Sequence, residues 1–567
     1  MKCFLLPLTM LLAPFVLPGL LETARATVTS TGNIDPANPA SWTTSTDGYV
    51  GRTADGALTV DGNSDLLSRY AYIGHDSGIV GQVTVDGAGS TWKNRYILHV
   101  GYDGAGTLTI TNGGSVTNAW GVVGDRAGSM GTVTVDGGSS TWVSTYELYV
   151  GLGGNGTLAI ANGGSVSVGS TTYLGRAAGS TGAVHFGPGG GTLTTRSLGA
   201  SPARLSGTGT INTRGLVSDM DLVFDSSRGL NQTFTVPSES GQNITVNLDM
   251  SDPENAGDLG AGYEGSGSLI IRDGKMLRSI GGYIGYKSGS TGTVTVDGGM
   301  STWTNDWELY VGLDGAGTLA VTNGGRVANA YGCIGEYAGS TGTATISGID
   351  STWNSKGDLF VGHLGNGTLV IDAGGLVSVE GKLTIDSNGG DDSYVNMATG
   401  GMLALFGNAD DSLDDFLDLI NGADAIRYWE SSISDWAPIA GAVPGVDYTL
   451  VYVADAGSSL FGHTLLTVET VPPSIPGDAN KDGHVDEIDA KNLAAHWGQV
   501  GGRARGDFNN DGLINALDAA IMAAMWGHDA PTEQENGSPA VPEPSVLAML
   551  TALGFLARGQ RRRSARG

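Results

Sequence analysis

Short segments of alternating apolar and polar residues recur along most of the chain. Gly-Thr-Val-Thr-Val-Asp at 131–136 and Gly-Thr-Leu-Ala-Val-Thr at 317–322 are typical, and a glycine-rich turn follows each of them. Because successive side chains of a β-strand point to opposite faces, this alternation predicts strands with one apolar face directed inward. The pattern therefore indicates a mainly β fold made of many short strands.

These segments belong to a repeat of 50 residues, since Trp92 and Trp142 are 50 positions apart and so are Trp303 and Trp353. A Val/Ile/Leu-Gly step divides each unit again at spacings of 27 and 23 or 24 residues. A unit of about 25 residues cannot bury its own apolar face, whereas stacked units can. We therefore expect a parallel β-solenoid (a β-helix) over 27–390, with degenerate coils at about 200–255. The alternative is a β-propeller with about 40 to 50 residues per blade.

The best-preserved units, at 81–116, 131–166, 292–327 and 342–377, resemble the PEP-CTERM and autotransporter-associated repeat. The resemblance covers about 70–200 and 255–390 and implies the passenger region of a surface protein. It implies no particular chemistry.

Acidic residues of the predicted solenoid recur with the repeat. Asp86, Asp136 and Asp297 each stand in Val-Asp-Gly, which suits a tight turn. A catalytic site needs a unique cluster of side chains, so we expect a non-catalytic solenoid. The alternative is a β-helical protein that binds or degrades polysaccharide. Such a protein would be tethered through a separate small module further along the chain, at 473–530. We expect the repeat tryptophans to pack in the core rather than to bind sugar rings, and Cys333 to be a small buried apolar residue.

The periodicity stops between 391 and 472. Residues 411–430 predict a helix with Phe416, Leu417 and Ile420 on one face. Two later apolar segments predict strands. We expect a small mixed α/β cap at the end of the solenoid, followed by a linker.

Composition and charge indicate which classes of binding partner the protein can have. The chain has 94 glycines, 15% charged residues and a formal net charge of −28. Such a surface repels phosphate backbones, so we expect no nucleic acid partner. It is compatible with divalent cations and with an extracellular location.

Two acidic twelve-residue patterns provide the most specific chemistry in the sequence. They begin 29 residues apart, carry oxygen-bearing side chains at positions 1, 3, 5, 9 and 12, and have glycine at position 6. A hard cation takes six to eight oxygen ligands, and a loop of this length wraps it with alternate residues and the carbonyl of position 7. The predicted ligands are Asp478, Asn480, Asp482, His484, Asp486 and Asp489 in the first loop and Asp507, Asn509, Asp511, Leu513, Asn515 and Asp518 in the second.

Each loop leads into a predicted short helix that ends in Trp-Gly, at Trp497 and Trp526. The duplicated arrangement resembles a type I dockerin, in which position 12 is Asp and the entering helix is missing. Pro473 and Pro476 precede the first loop in agreement with that pattern. The resemblance assigns 473–530 to a small α-helical module, and it implies two Ca²⁺ ions and a cohesin-like partner.

The two positions before the twelfth ligand depart from the pattern of many dockerins. They are Glu487-Ile488 and Ala516-Leu517, where many dockerins carry hydroxyl residues used in recognition. A calcium-stabilised spacer, or a link to another surface partner, is the alternative to cohesin binding.

The first 26 residues predict a secretory signal peptide. Lys2 precedes an apolar run at 4–21, and Ala24-Arg25-Ala26 provides a small-residue cleavage site. We expect the mature chain to begin after Ala26.

The last segment, 531–567, resembles a PEP-CTERM sorting signal. Pro542, Glu543 and Pro544 precede an apolar stretch at 545–557 and a cluster of arginines. The resemblance implies recognition by an exosortase and delivery to the exterior of a Gram-negative-type bacterium. The short apolar stretch followed by positive charge predicts a transient anchor in the inner membrane. We expect an exported surface or extracellular-matrix protein, an adhesin-like rod for which extracellular polysaccharide is a possible partner.

Overall fold

The structure is a computed structural model that describes residues 27–237, 242–390, 392–430, 433–468, 475–480, 484–502, 505–509 and 512–528. The fold is mainly β, a solenoid of about 14 turns followed by a small helical unit near the C-terminus. The chain divides into two compact units. One comprises the residues up to Ala442 together with Thr449–Val468, and the other comprises Val443–Tyr448 and the residues from Glu469 onward.

Each regular turn of the solenoid contributes three strands, which pair with the equivalent strands of the neighbouring turns. The pairing is parallel and in register, so that Val83, Leu108 and Val133 lie side by side in three successive turns. Within the strand Met130–Asp136 the residues alternate, with Val133 and Val135 completely buried. This arrangement confirms the predicted parallel β-solenoid, and it excludes the propeller.

We call the three stacks of strands the first, second and third ladders. The first ladder contains Thr27–Gly32, Gly56–Asp61, Val80–Asp86, Ala105–Thr111, Met130–Asp136, Asn155–Ala161, Thr181–Phe186, Leu205–Gly207, Asp221–Phe224, Ser266–Ile271, Thr291–Asp297, Ala316–Thr322, Thr341–Ser347, Asn366–Asp372, Tyr394–Met397, Ile426–Glu430 and Asp435–Pro438. The second contains Asp65–Ser68, Thr91–Asn94, Ser115–Asn118, Thr141–Ser144, Gly209–Thr213, Asn231–Pro237, Asn243–Asp249, Met276–Ser279, Thr302–Asn305, Arg326–Asn329, Thr352–Ser355, Leu376–Val379, Met402–Phe406, Tyr448–Tyr452 and His463–Val468. The third contains Ile34–Asp35, Gly48–Val50, Ala71–Ile73, Ile97–Val100, Trp120–Val123, Leu148–Val150, Leu216–Ser218, Leu259–Ala261, Gly282–Ile284, Glu308–Val311, Tyr331–Ile334, Leu359–Val361, Leu383–Ile385 and Ile420–Asn421. Gly164–Leu174 and Gly191–Ala200 each span the second and third ladders.

The solenoid is interrupted in the region predicted to hold degenerate coils. The first ladder stops at Leu205–Gly207 and a separate sheet begins at Asp221–Phe224. The second ladder ends in an antiparallel hairpin, Asn231–Pro237 with Asn243–Asp249, and begins again at Met276–Ser279. The third ladder continues through this region as part of one sheet. Two of the three ladders are therefore interrupted in this region, while the third continues.

The repeat tryptophans are core residues, as predicted. Trp92, Trp142, Trp303 and Trp353 are buried to within 1% of full burial. Each indole N–H donates to a polar side chain of the preceding turn, as Trp142 Nε1 does to Asn118 Oδ1 at 2.6 Å. The sugar-stacking alternative is wrong for these four residues, because their rings are not accessible. Cys333 is also completely buried.

The helix predicted over 411–430 is wrong for most of its length. Helix α1 covers only Leu413–Leu417. Gly422 has a φ of +78°, which interrupts a helix. The residues after α1 pair with the solenoid instead. Ile420–Asn421 joins the third ladder, and Ile426–Glu430 joins the first. The apolar spacing favoured a helix locally, but pairing with the strands of the solenoid determined the structure.

Parallel pairing therefore continues past the predicted boundary at residue 390. Antiparallel strands then close the stack, with Asp435–Pro438 against Ile426–Glu430 and His463–Val468 against Met402–Phe406. The N-terminal edge is closed in the same way, because Thr27–Gly32 pairs antiparallel with Gly56–Asp61. The antiparallel strands therefore end the parallel in-register pairing at these edges of the stack. Short 3-10 helices lie at Pro39–Ser41, Pro202–Arg204, Pro253–Asn255, Ala423–Ala425 and Ile439–Gly441.

The second unit contains helices α2, Glu487–Ala495, and α3, Ala516–Ala524. Its core is formed by Ala479, Leu493, Phe508 and Ile514. Across the part of the chain that the structure describes, no helix is long and apolar enough to cross a membrane. The predicted span at 545–557, the signal peptide with Ala26, and Pro542, Glu543 and Pro544 lie outside that part.

Candidate metal centre

Helices α2 and α3 begin in the same way, with a reciprocal cap at the end of each acidic loop. The side chain of Asp486 accepts a hydrogen bond from the Ile488 amide at 2.7 Å, and Asn515 accepts one from the Leu517 amide at 2.8 Å. The carboxylate at loop position 12 completes each capping box. Such caps satisfy amides that the first helical turn cannot. The predicted ligands at position 9 therefore also fix the start of each helix.

The carboxylate at position 12 closes its loop. Asp489 Oδ1 accepts from the amides of Ala479 at 2.7 Å and Asn480 at 3.2 Å, and Oδ2 accepts from the amide of Asp486 at 2.9 Å. Asp518 makes the equivalent three bonds, to the amides of Phe508, Asn509 and Asn515. Both carboxylates are completely buried. They tie positions 2 and 3 of each loop to its end.

The carboxylate at position 1 of the second loop is only half satisfied. Asp507 Oδ2 accepts from the Gly512 amide at 2.9 Å, and the φ of +85° at Gly512 turns that amide inward. Asp507 Oδ1 is buried and has no hydrogen-bond partner among the described residues. A buried carboxylate oxygen without a donor is costly unless a cation satisfies it. The donor set therefore fits a hard cation. Asp478 at position 1 of the first loop is buried as well.

The remaining predicted ligands are less constrained. Asn480 is half-buried, while His484, Asn509 and Leu513 are exposed. The Leu513 carbonyl accepts a bond from Asn515 Nδ2 at 2.9 Å. Asp482 and Asp511, the predicted ligands at position 5, lie outside the described residues. Among the residues that are described, no three His, Cys, Asp or Glu side chains form a group that could hold a metal ion.

The two loops are linked by an exchange of backbone bonds. Ile514 in the second loop pairs with the segment after α2, through Gly498 N to Ile514 O at 2.8 Å and Ile514 N to Gln499 O at 3.0 Å. Val485 in the first loop pairs with Gly527 and His528 after α3 in the same way. Val485 and Ile514 occupy position 8 of their loops, and both side chains are buried. Their backbone partners, however, are the segments that follow the opposite helix.

A glycine before each loop permits close packing on the opposite helix, a feature that the sequence reasoning missed. A Cβ at Gly477 would lie 2.8 Å from Met522 Cα, and one at Gly506 would lie 2.8 Å from Leu493 Cα. Both glycines also have positive φ, +104° and +108°. The sequence contains a signal for this packing, because a Gly-Asp pair begins each of the two acidic loops and the pairs are 29 residues apart.

Residues 476–525 match the family model of the dockerin type I domain. Type I dockerin domains generally bind calcium, dockerin domains bind cohesins, and they occur in extracellular or cell-surface proteins. No curated protein and no solved structure matches the chain.

Proposed function

We propose that this protein is an exported, non-catalytic rod of a bacterial cell surface or extracellular matrix, and that its dockerin domain docks onto a cohesin-like protein in the presence of calcium. The observation that carries the docking role is Asp507 Oδ1, a buried carboxylate oxygen without a donor in a loop of the dockerin match.

Two calcium ions are proposed, one in each loop. Bound calcium would neutralise the crowded carboxylates and link the two ends of its loop. The first ion would be held by Asp478, Asn480, Asp482, the carbonyl of His484, Asp486 and Asp489, and the second by Asp507, Asn509, Asp511, the carbonyl of Leu513, Asn515 and Asp518.

The first turns of α2 and α3 provide the proposed docking surface. Ile488 is 50% exposed and Leu517 is 62% exposed, and they occupy the same position in the two helices. Apolar side chains held in the open on short, capped helices suit a protein interface. The capping boxes at Asp486 and Asn515 couple this surface to the loops, because the same residues end the loops and start the helices.

The repeated aspartates of the solenoid support a structural role. Asp86 Oδ1 accepts bonds from Thr111 Oγ1 at 2.8 Å and Asn112 Nδ2 at 2.7 Å, in the next turn. Asp297 repeats the arrangement, and Asp136 accepts from Asn162 at 2.6 Å. These carboxylates tie one turn to the next, which favours a rod over an enzyme. An adhesin-like use of the surface is the corresponding proposal.

Export is proposed from the two ends of the sequence. Cleavage after Ala26 would release the chain outside the inner membrane, and Pro542, Glu543 and Pro544 would direct processing by an exosortase. The stretch at 545–557 would hold the chain in the inner membrane until then. Docking then either recruits a partner to the anchored protein or attaches the released protein elsewhere.

Surface plasmon resonance of the full chain over immobilised cohesin modules tests the docking role. We expect binding in calcium that is lost in EDTA, and that is also lost when Ile488 and Leu517 are both replaced by serine. Val500→Ser is the matched control. Val500 is 78% exposed in the same unit, but it belongs to the segment that connects α2 to α3 and not to the first turn of either helix. Binding that persists in EDTA or in the double variant, or no cohesin binding at all, would contradict the proposal.

A further inference from the structure

A cavity of about 330 Å³ opens at the break in the solenoid. It lies at the corner between the third and first ladders, where the turn ending at Arg176 meets turns more than 85 residues further along the chain. The Arg176 guanidinium lies over the ring of Tyr286, 5.0 Å from its centroid. Its lining includes Arg176, Arg204, Glu264, Lys287, Leu313 and Tyr337.

Two of the three cations that line this cavity form no salt bridge with a described residue. Arg204 pairs with Glu264 through two bonds, at 2.9 Å and 2.5 Å. Arg176 and Lys287 form no salt bridge with any described residue, and contact aromatic rings instead. In a protein with a formal net charge of −28, two neighbouring cations without a salt bridge to a described residue form an unusual site.

Arg176 and Lys287 are close neighbours. A Cβ at Gly175 would lie 3.3 Å from Lys287 Nζ, which places the ammonium beside the backbone that carries Arg176. Burial lowers the pKa of Lys287, and the positive charges of Arg204 and Arg176 act in the same direction, whereas the carboxylate of Glu264 acts against them. A bound anion would offset both effects.

The residue at the position of Lys287 varies from turn to turn. Arg126 occupies it in one turn, and Asp76, Asp103 and Asp314 occupy it in others. The distinctive feature of the cavity is therefore that Arg176 and Lys287, from turns far apart in the sequence, lie side by side. They occur where the ladders break and the usual stacking is lost.

We propose that this cavity binds the carboxylate of a hexuronate unit in an acidic polysaccharide. Arg176 and Lys287 would contact the carboxylate, because neither forms a salt bridge with a described residue, whereas Arg204 is already paired with Glu264. Tyr337, which is 48% exposed, would face the sugar ring. Glu264 and Asp314 provide acceptors for sugar hydroxyls, and their negative charge disfavours a multiply charged sulfate or phosphate. The site is independent of the calcium loops, so it goes beyond the docking role.

Isothermal titration calorimetry of the full chain with trigalacturonate in EDTA tests the proposal. We expect saturable binding, with the methyl-esterified trimer and inorganic sulfate binding at least about tenfold more weakly, since both lack the sugar carboxylate. Equal binding of the ester would overturn the assignment of the carboxylate. Equal binding of sulfate would overturn the assignment of a sugar.

Single substitutions in the lining test whether trigalacturonate binds in this cavity. Arg176→Gln and Lys287→Gln should each weaken trigalacturonate binding on the order of tenfold. Arg95→Gln is the matched control, because Arg95 also lies over a tyrosine ring, at 5.1 Å from Tyr96, but in a different turn. Circular dichroism confirms that each variant is folded, and Tyr337→Ala provides a second folded variant that should also lose affinity. Unchanged binding in these variants, or no binding by the native chain, contradicts the proposal and leaves calcium-dependent docking unaffected.

Discussion

Asp507 and Gly512 face each other across the second acidic loop, with the Gly512 amide 2.9 Å from Asp507 Oδ2. The other oxygen of the carboxylate, Oδ1, is buried without a partner in the described part of the chain. The loop therefore holds one oxygen by a backbone bond and leaves the other available to a cation. The positive φ of Gly512 makes the arrangement possible.

Replacing Gly512 by alanine should weaken calcium binding in the second loop. A Cβ at a φ of +85° is strained, at a cost of about 1 to 3 kcal/mol, which corresponds to roughly a fivefold to hundredfold loss of affinity if the bound loop carries the strain. Calcium titration calorimetry measures the change. Gly502→Ala is the control, because a Cβ there meets open space. Equal effects of the two substitutions would show that the geometry of Gly512 does not matter.

Removing the buried side chain of Ile514 should impair both calcium loops. Ile514 is completely buried in the core of the second unit, and its backbone joins the second loop to the segment after α2. Ile514→Ala should destabilise the unit by about 2 to 5 kcal/mol, and calcium affinity should fall at both sites. Leu517→Ala changes a 62% exposed side chain and should leave calcium binding intact. A loss of affinity confined to the second loop would contradict the linkage.

The buried tryptophans should contribute to solenoid stability through their indole N–H groups. Trp142→Phe keeps an aromatic ring but leaves Asn118 Oδ1, the acceptor at 2.6 Å, without its donor. We expect a loss of about 1 to 3 kcal/mol in urea denaturation. Trp307→Phe is the matched control, since Trp307 is 66% exposed and the same substitution there should change stability little. Similar effects at both positions would rule out the contribution of the buried bond.

Asp258 should make the solenoid less stable as the pH rises. Burial raises the pKa of Asp258 to about 6, from 3.8, despite the bond that it accepts from Thr171. The folded state therefore holds a proton between about pH 4 and 6 that the unfolded state has lost. The stabilisation is complete below about pH 4 and is lost as the pH rises to about 6, by about 3 kcal/mol in total.

Denaturation midpoints in calcium-free buffer at pH 4.5 and 7 measure this effect. Asp258→Asn keeps an acceptor for Thr171 and cannot ionise, so the pH dependence should decrease in this variant. The comparison separates Asp258 from the general effect of acid on a chain with a formal net charge of −28. An identical pH dependence in both proteins would contradict a raised pKa at Asp258.

The regular parts of the fold were predictable because each local signal agrees with the stacking. The spacing of Trp92 and Trp142 and the alternation in 131–136 fix both the turn length and the inward face. The helix predicted at 411–430 failed because its apolar residues serve strands as well as a helix, and pairing with the stack decided the outcome. The contact of Arg176 with Tyr286 could not be predicted, because the break between them destroys the phase of the repeat.

For the acidic loops, too, the sequence predicted the local structure but not the contacts that depend on tertiary packing. The pattern from Asp507 to Asp518 predicted the loop and the start of α3. It could not show that Asp518 holds three backbone amides, since that depends on how the loop closes. Nor did it show that Ile514 pairs with Gly498 and Gln499, because that contact joins the two copies.

Calcium titration calorimetry of the full chain, with Asp478→Asn and Asp507→Asn as single variants, tests the central claim most directly. We predict two bound ions for the native chain and one for each variant, because each substitution removes the carboxylate at position 1 of one loop. Far-ultraviolet circular dichroism should show that the variants remain folded. No uptake of calcium at millimolar concentration, or the same stoichiometry in all three proteins, would contradict the account.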